Sequence, residues 1–410
     1  MAQIAAAFLL IVVVAVLALV VLEVRRKNMH IWLRSYLRQR PPPRVPGPIH
    51  VMFMFVDHYE PRWKNAPYET EVARVRAWSD RYPALAAKHR DFDGVHPQHS
   101  FFYPEEEYRA EHLRALERMC MDGYGEIEVH LHHDNDTEAG LREKVERFVK
   151  ILSEQHGALS PDPVTNKLAF GFIHGNWALD NSRSDGRWCG VNNEIQVLAD
   201  LGCYADFTLP SAPSDTQTSK INSIYYVRDD PHRAKSHDEG VDAAVGASPK
   251  ADLLLIQGPL ALNWKRRKWG VLPRLENADV RLTSQPTPDR VDLWVRQHIH
   301  VKGRPEWVFV KVHTHGAQEP DMETLLGEPM DRMFSYLESA YNDGSRYRLH
   351  YVTAREAYNI IKAAEVGKSG DPNAYRDFVL PRPRASRKVG HAAAASGPAA
   401  AESIAEATTP

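Results

Sequence analysis

The segment HLHHDND (130–136) sets His130, His132 and His133 beside Asp134 and Asp136. Imidazole nitrogens and carboxylate oxygens are the donors that hold zinc, manganese or iron, and a set of this kind can leave one coordination position open for water. The alternative is a polar turn whose histidines make ordinary hydrogen bonds. Asp57 and His58, in VDHYEP, offer a second half of such a site, because a carboxylate beside a metal can take a proton from water. The same pair could equally cap and redirect a turn. His313 and His315, in HTHG, could donate a proton to a leaving group or anchor an oxyanion. Histidine is the conspicuous count, at 20 in 410 residues.

Separate positions make one site only if the fold brings them together. Apolar or alternating runs predict strands at 51–56 (VMFMFV), 99–103, 125–133, 168–174, 205–209, 253–257, 307–313 and 347–352. Between them, three- and four-residue spacing predicts helices. One carries Val72, Val75, Trp78, Tyr82 and Leu85, another Leu141, Val145, Phe148 and Leu152, and a third Met330, Met333, Phe334, Leu337 and Tyr341. Thr353 and Glu356 stand in capping-box spacing before the last helix. This rhythm predicts an α/β fold, a distorted (β/α) barrel of about seven to eight parallel strands spanning 49–366. Asp57 and His58, the histidine cluster, His174, and His313 with His315 all fall at predicted strand ends, and a barrel would carry these ends to one rim.

The combination resembles the polysaccharide deacetylase family, the one with NodB homology. MFVDHYEP is similar to the family's first motif, a strand ending in an Asp pair, and HSFFYPEE to its next strand. GEIEVHLHHDND is similar to the second motif, GCYADFTLPSA to a later Gly-aromatic stretch, and VFVKVHTHG to the final strand. The resemblance implies a divalent metal, zinc first and manganese, iron or cobalt as alternatives, and removal of acetyl groups from an N- or O-acetylated glycan. Carried over, Asp57 would be the base, His58 would take the metal-binding Asp position, His130 would be the first histidine ligand, and His313 would be the general acid. Asp134 stands where the second histidine ligand falls, with His132 and His133 as substitutes. GFIHGNWALDNS replaces the family's Arg-x-Pro-Tyr motif, making His174, Asn176 and Trp177 candidate substrate contacts, with Asp206 in the later stretch. Two alternatives stand beside the hydrolase: a catalytically inactive barrel acting as a glycan-binding or scaffold protein, and a metallo-β-lactamase-like hydrolase suggested by HxHxD at 130–134.

The remaining chain bears on location and partners. With 51 Lys+Arg against 53 Asp+Glu, a net charge of -2 gives no global field for collecting nucleic acid. Residues 4–22 are apolar without interruption, a run of membrane-spanning length, so 1–24 is expected to be a single-pass transmembrane anchor. The basic residues on its C-terminal flank then predict a cytoplasmic domain, whereas the family resemblance points to the extracytoplasmic side. A basic and Pro-rich linker is expected over 25–48, and a disordered tail over 367–410. The segment NWKRRKWG (263–270) reads either as a basic loop whose tryptophans return to the core or as a surface that stacks sugars. Cys120, Cys189 and Cys203 lack CxxC spacing, so no thiolate zinc site is expected.

Overall fold

The computed structural model describes residues 2–386. Its strands are β1 (Ile49–His58), β2 (His99–Pro104), β3 (Gly125–Leu131), β4 (Ser160–Pro161), β5 (Leu168–His174), β6 (Cys203–Asp206), β7 (Ile224–Val227), β8 (Val241–Asp242), β9 (Leu253–Ile256), β10 (Ala261–Lys268), β11 (Leu272–Glu276), β12 (Trp307–Thr314) and β13 (Tyr347–Tyr351). The helices are α1 (Ala2–Arg26), α2 (Met29–Leu37), α3 (Tyr68–Ala86), α4 (Ala110–Met121), α5 (Glu138–Glu154), α6 (Glu194–Asp200), α7 (Pro288–Arg296), α8 (Glu319–Leu325), α9 (Glu328–Tyr341) and α10 (Ala354–Glu365).

The main sheet runs β12-β1-β2-β3-β5-β6-β9 in parallel. β13 lies parallel to the first half of β1, from Ile49↔Tyr347 to Phe53↔Tyr351, and β2 pairs with the second half from Phe55↔His99. The expected parallel strands are therefore all present, but the expected closed ring is not. Among the described residues no ladder joins β9 to β12. The antiparallel β7 and β8 extend the sheet beyond β9 instead. Ala278, Val280 and Ile299 occupy the free edge of β12 through hydrogen bonds with His313 and Phe309. The sheet still curls enough for Gly258 to lie against β12, where an added Cβ would sit 2.5 Å from the Lys311 carbonyl oxygen.

Strand alternation divides the core. Val51, Phe53 and Phe55 face the helical layer, packing with Val75, Trp78 and Tyr82 of α3, Phe148 of α5 and Phe334 of α9. Met52, Met54 and Val56 face inward with Phe102, Ile173, Phe207, Ile256 and Phe309, and Ile360 and Ile361 of α10 join them. The capping box forms as the sequence predicts. Thr353 accepts from the Glu356 backbone N–H at 3.2 Å, and the Glu356 carboxylate accepts from the Thr353 N–H at 3.1 Å.

Two boundary expectations change. The basic segment is not a free linker: α2 docks through Trp32, which is buried with Ala212, Ile221, Leu260 and Leu262. The chain beyond 366 is not a free tail up to 386, because Arg376 donates to Glu356 at 2.8 Å and to the Tyr351 carbonyl at 2.7 Å, and Leu380 is buried. Residues 387–410 lie outside the described residues. The apolar N-terminal run is helical, yet among the described residues no helix is long and apolar enough to cross a membrane. Several side chains of the expected span lie outside the described ones.

Glu356 supplies a test of the C-terminal closure. Burial pushes its carboxyl up, but the guanidinium groups of Arg376, Arg382 and Arg355 outweigh this and hold it at about 2. A folded pKa below the unfolded value of about 4.3 gives stability that is complete above that pH and is lost as pH falls toward the folded value. Glu356→Gln is expected to cost about 3–5 kcal/mol at neutral pH, since it leaves buried arginines without their partner. Urea unfolding across this acid window should show a steeper loss for the wild type than for the variant; parallel loss in both would contradict the assignment.

Candidate metal centre

β1 carries Asp57 and His58 to adjacent positions that point to opposite faces. His58 continues the inward series of Met52, Met54 and Val56, and Glu60 follows it two residues later. β3 carries His130 inward in the same way, with His132 two residues beyond. β12 does so for Lys311 and His313, and His315 follows. Alternation thus explains why HxE, HxH and HxH each deliver two groups to one rim.

These residues converge on Glu60. Its Oε1 lies 3.4 Å from His130 Nε2 and 3.6 Å from His132 Nε2, and its Oε2 lies 3.5 Å from Gln318 Nε2. The His58 ring stacks on His315 at 4.7 Å between centroids and meets His130 edge-on at 4.9 Å. His58, Glu60 and His315 form one group able to hold a metal ion, and Glu60, His130 and His132 form another. The second ring nitrogens are already committed: His130 Nδ1 lies 2.8 Å from the Ile173 carbonyl, and His132 Nδ1 lies 2.5 Å from Glu106 Oε1. Each Nδ1 faces an acceptor and carries the proton, so in the neutral rings both Nε2 lone pairs are aimed at the Glu60 carboxylate. Acceptors facing acceptors need a proton or a metal ion among them, and the donor set could hold a divalent metal.

Protons on the rings would meet the same need. Burial would raise the Glu60 carboxyl, but the His130 hydrogen bond and the charges of His315, His130 and His132 bring it to about 2. Burial, reinforced by His315, His130 and His313, holds His58 well below the usual imidazole range, so its ring is neutral. The His132 ring sits above its usual value because Glu106 and Glu60 outweigh burial. Burial raises Glu107 to about 8, leaving a protonated carboxyl near neutral pH. It lines a cleft of ≈ 360 Å³ with Glu60, Arg62, Trp63, Lys64, Asn65, Glu106 and His132.

Other residues singled out by the sequence are placed as follows. Asp57 turns to the helical side, where its Oδ1 accepts from Gly316 N at 2.6 Å and its Oδ2 lies 3.4 Å from His99 Nδ1; it does not face the cluster. Asp134 is not with the histidines either, because it accepts from Trp188 N at 2.6 Å. His133 leaves the rim and meets His174 at 2.8 Å between Nε2 atoms, and His174 does not line the cleft. Trp177 does reach the cluster, at 6.2 Å from His58 and 5.9 Å from His315 between ring centroids. Its buried Nε1 has no hydrogen-bond partner among the described residues. Asn176 adopts a φ of 52° in the turn that delivers Trp177. Asp206 is buried deeper, bonded to Thr208 at 2.7 Å and raised to about 7 by burial. His313 lies 3.9 Å from Asp279, while Arg281 donates to His315 Nδ1 at 3.3 Å and leaves Nε2 as that ring's protonated atom.

Glu60, Glu106 and Arg281 are absent from the sequence-derived set. Only Glu60 leaves a trace in the sequence, through its two-residue spacing from His58.

No family model matches the chain, and no curated protein matches it in sequence. Among solved structures, one described as a "putative polysaccharide deacetylase from Mycobacterium smegmatis" is similar at 12% identity and a TM-score of 0.44, covering 81% of this chain and 97% of its own.

Glu60→Gln removes the negative charge on which the ring nitrogens converge. Zinc competition against a chelator dye should show affinity at this site falling at least ~10-fold while far-ultraviolet circular dichroism is unchanged; unaltered affinity would remove Glu60 from the centre.

Proposed function

We propose that the protein is a metal-dependent hydrolase that removes acetyl groups from an N- or O-acetylated glycan. The observation that carries this reading is the convergence of His58, Glu60, His130, His132 and His315 at the ends of parallel strands, beside an open cleft. The motif order and the polarised donor set support it together.

Glu60, His130 and His132 would hold the ion, with His58 on the other side of Glu60. When bound, a divalent metal there supplies Lewis-acid polarisation of an acyl carbonyl and acidifies water near neutral pH. The chain's own residues do the rest. His315, with its proton on Nε2, is placed to donate a hydrogen bond to the oxygen of the acyl group on which negative charge develops. The orphaned Trp177 Nε1 offers a donor to a substrate oxygen, and its ring offers an apolar face to a sugar. Glu107 carries a proton at neutral pH on the cleft wall. Asp57 holds the turn at Gly316 and thereby positions His315, in place of the base role implied by resemblance. That displacement favours a second reading, an inactive glycan-binding relative.

His315→Asn should lower kcat for acetate release from acetylated chitooligosaccharide or xylan by about 10²–10⁴-fold with little change in metal content. Acetate release by neither wild type nor variant, with the same glycans still bound, would favour the binding protein.

We further infer that the chain attaches to an anionic lipid surface, the cytoplasmic leaflet by the basic flank. Phe8, Leu9, Leu10, Ile11 and Leu22 of α1 are exposed, and Lys268 of the β10–β11 hairpin reaches Glu23 at the end of that helix, 3.2 Å away. Trp264 and Trp269 on the hairpin are exposed at 56% and 66%, which corrects the expectation that they return to the core. Interfacial tryptophans interleaved with Lys265, Arg267 and Lys268 suit the headgroup layer. The double change Trp264→Ser with Trp269→Ser should weaken flotation with phosphatidylserine vesicles several-fold; equal flotation of both proteins would refute a role for the hairpin.

A further inference from the structure

His133, His174, Cys189 and Glu194 meet away from the cleft, and none is needed by the proposed reaction. They come from four parts of the chain: the turn after β3, the end of β5, the irregular segment before α6, and the first residue of α6. All four are buried. His133 Nε2 lies 2.8 Å from His174 Nε2 and 3.2 Å from Glu194 Oε1, while Glu194 Oε2 lies 3.4 Å from both His174 Nε2 and Cys189 Sγ.

With both rings neutral, the proton inventory of this cluster does not close with protein atoms alone. His133 Nδ1 lies 3.1 Å from Asp136 Oδ2, which is itself ion-paired with Lys144 at 2.6 Å. His174 Nδ1 lies 2.6 Å from the Gly175 carbonyl. Both Nδ1 atoms therefore carry their protons toward fixed acceptors, and in the neutral rings both Nε2 lone pairs point at each other and at the Glu194 carboxylate. The sulfur receives the backbone N–H of Asn181 at 3.3 Å and of Val191 at 3.4 Å, and its own proton faces Glu194 Oε2 at 3.4 Å, the proton a metal ion would displace. Two lone pairs, a carboxylate and a sulfur that receives donors form a pocket for a cation.

Size and chemistry select the cation. Donors placed ~2.0–2.3 Å from a central ion in a tetrahedron are separated by roughly 3.3–3.8 Å; Glu194 Oε2 stands 3.4 Å from both His174 Nε2 and Cys189 Sγ, and the four ligand atoms lie within 4.8 Å of one another. Nitrogen, sulfur and a single carboxylate suit zinc rather than calcium or magnesium, which prefer all-oxygen shells. With four buried protein donors, none of them lining the cleft, the arrangement is of the closed, structural type.

We propose that His133, His174, Cys189 and Glu194 bind a structural zinc ion, separate from the rim centre. The ion would pin the irregular segment around Cys189 to the ends of β3 and β5. The neighbouring backbone is already shaped for this: Asp136 N donates to the Cys189 carbonyl at 2.8 Å, and Gly190, at φ 101°, sits where a Cβ would approach Asp136 N to 2.7 Å. The proposal does not depend on the hydrolase reading, since its ligands and its readout are distinct from those of Glu60, His130 and His132.

The test is cobalt substitution of the full chain, because only a thiolate ligand gives an intense near-ultraviolet sulfur-to-cobalt charge-transfer band. Wild type should show the band, Glu60→Gln should keep it, and Cys189→Ser should lose it together with about one metal per chain. Chelation should also accelerate alkylation of Cys189 and lower the melting temperature by several degrees. If Cys189→Ser fails to fold, the wild-type band and the alkylation rates decide the question. A cobalt-loaded wild type without the band, or alkylation of Cys189 indifferent to metal, would overturn the site and leave a protonated His133 shared among its neighbours.

Discussion

Imidazole lone pairs held against a buried carboxylate are the interaction around which this molecule is organised. Away from water, such acceptors repel unless a proton or a metal ion lies among them, and the cost of burying them unpaired exceeds what a few packed side chains can offset. At the rim the acceptors are His130, His132 and Glu60, and in the second cluster they are His133, His174 and Glu194. In both, the far side of each imidazole is fixed by a carboxylate or a backbone carbonyl. The lone pairs are therefore held in place by the fold and cannot rotate away at will.

The fold supplies that fixation through alternation along parallel strands. One face of β1 and β12 packs on helices through Val51, Phe53, Phe55, Val308, Val310 and Val312. The opposite face lines the interior, and beyond its last apolar residue it delivers His58 and His313. A shift of one residue in register would exchange Asp57 for His58 at the rim and bury the wrong group. The C-terminal segment contributes from the other end of the sheet. Arg355 pairs with Glu126 of β3 at 2.8 Å, and Arg376 with Glu356, tying α10 to the strands that carry the histidines.

Much of this was legible in the sequence, for physical reasons. Runs such as VMFMFV and WVFVKVH can satisfy both faces only as buried parallel strands, so their positions and the polar residues at their ends could be read directly. The order of motifs pointed to His58, His130 and His313, the histidine cluster added His132, and the spacing of HTHG added His315, all without any structure. What could not be read is long-range. Cys189 and Glu194 have no spacing relation to His133 or His174, because a site assembled from four separate segments has no local pattern. The facing of Asp57 was not legible, because adjacent residues on a strand point to opposite faces, whereas a motif treats them as a unit. The docking of Trp32 and the packing of 372–386 were likewise hidden, since a Pro- or Ala-rich composition reports only the average of a segment that a few buried residues can anchor.

The central claim is that the rim is a metal centre. Anomalous difference density recorded on both sides of the zinc edge, from crystals of the zinc-loaded chain, tests it most directly. The account predicts a peak within about 2.3 Å of Glu60, His130 and His132 donor atoms. A map with no peak at that position, from crystals whose zinc content is confirmed, would contradict it.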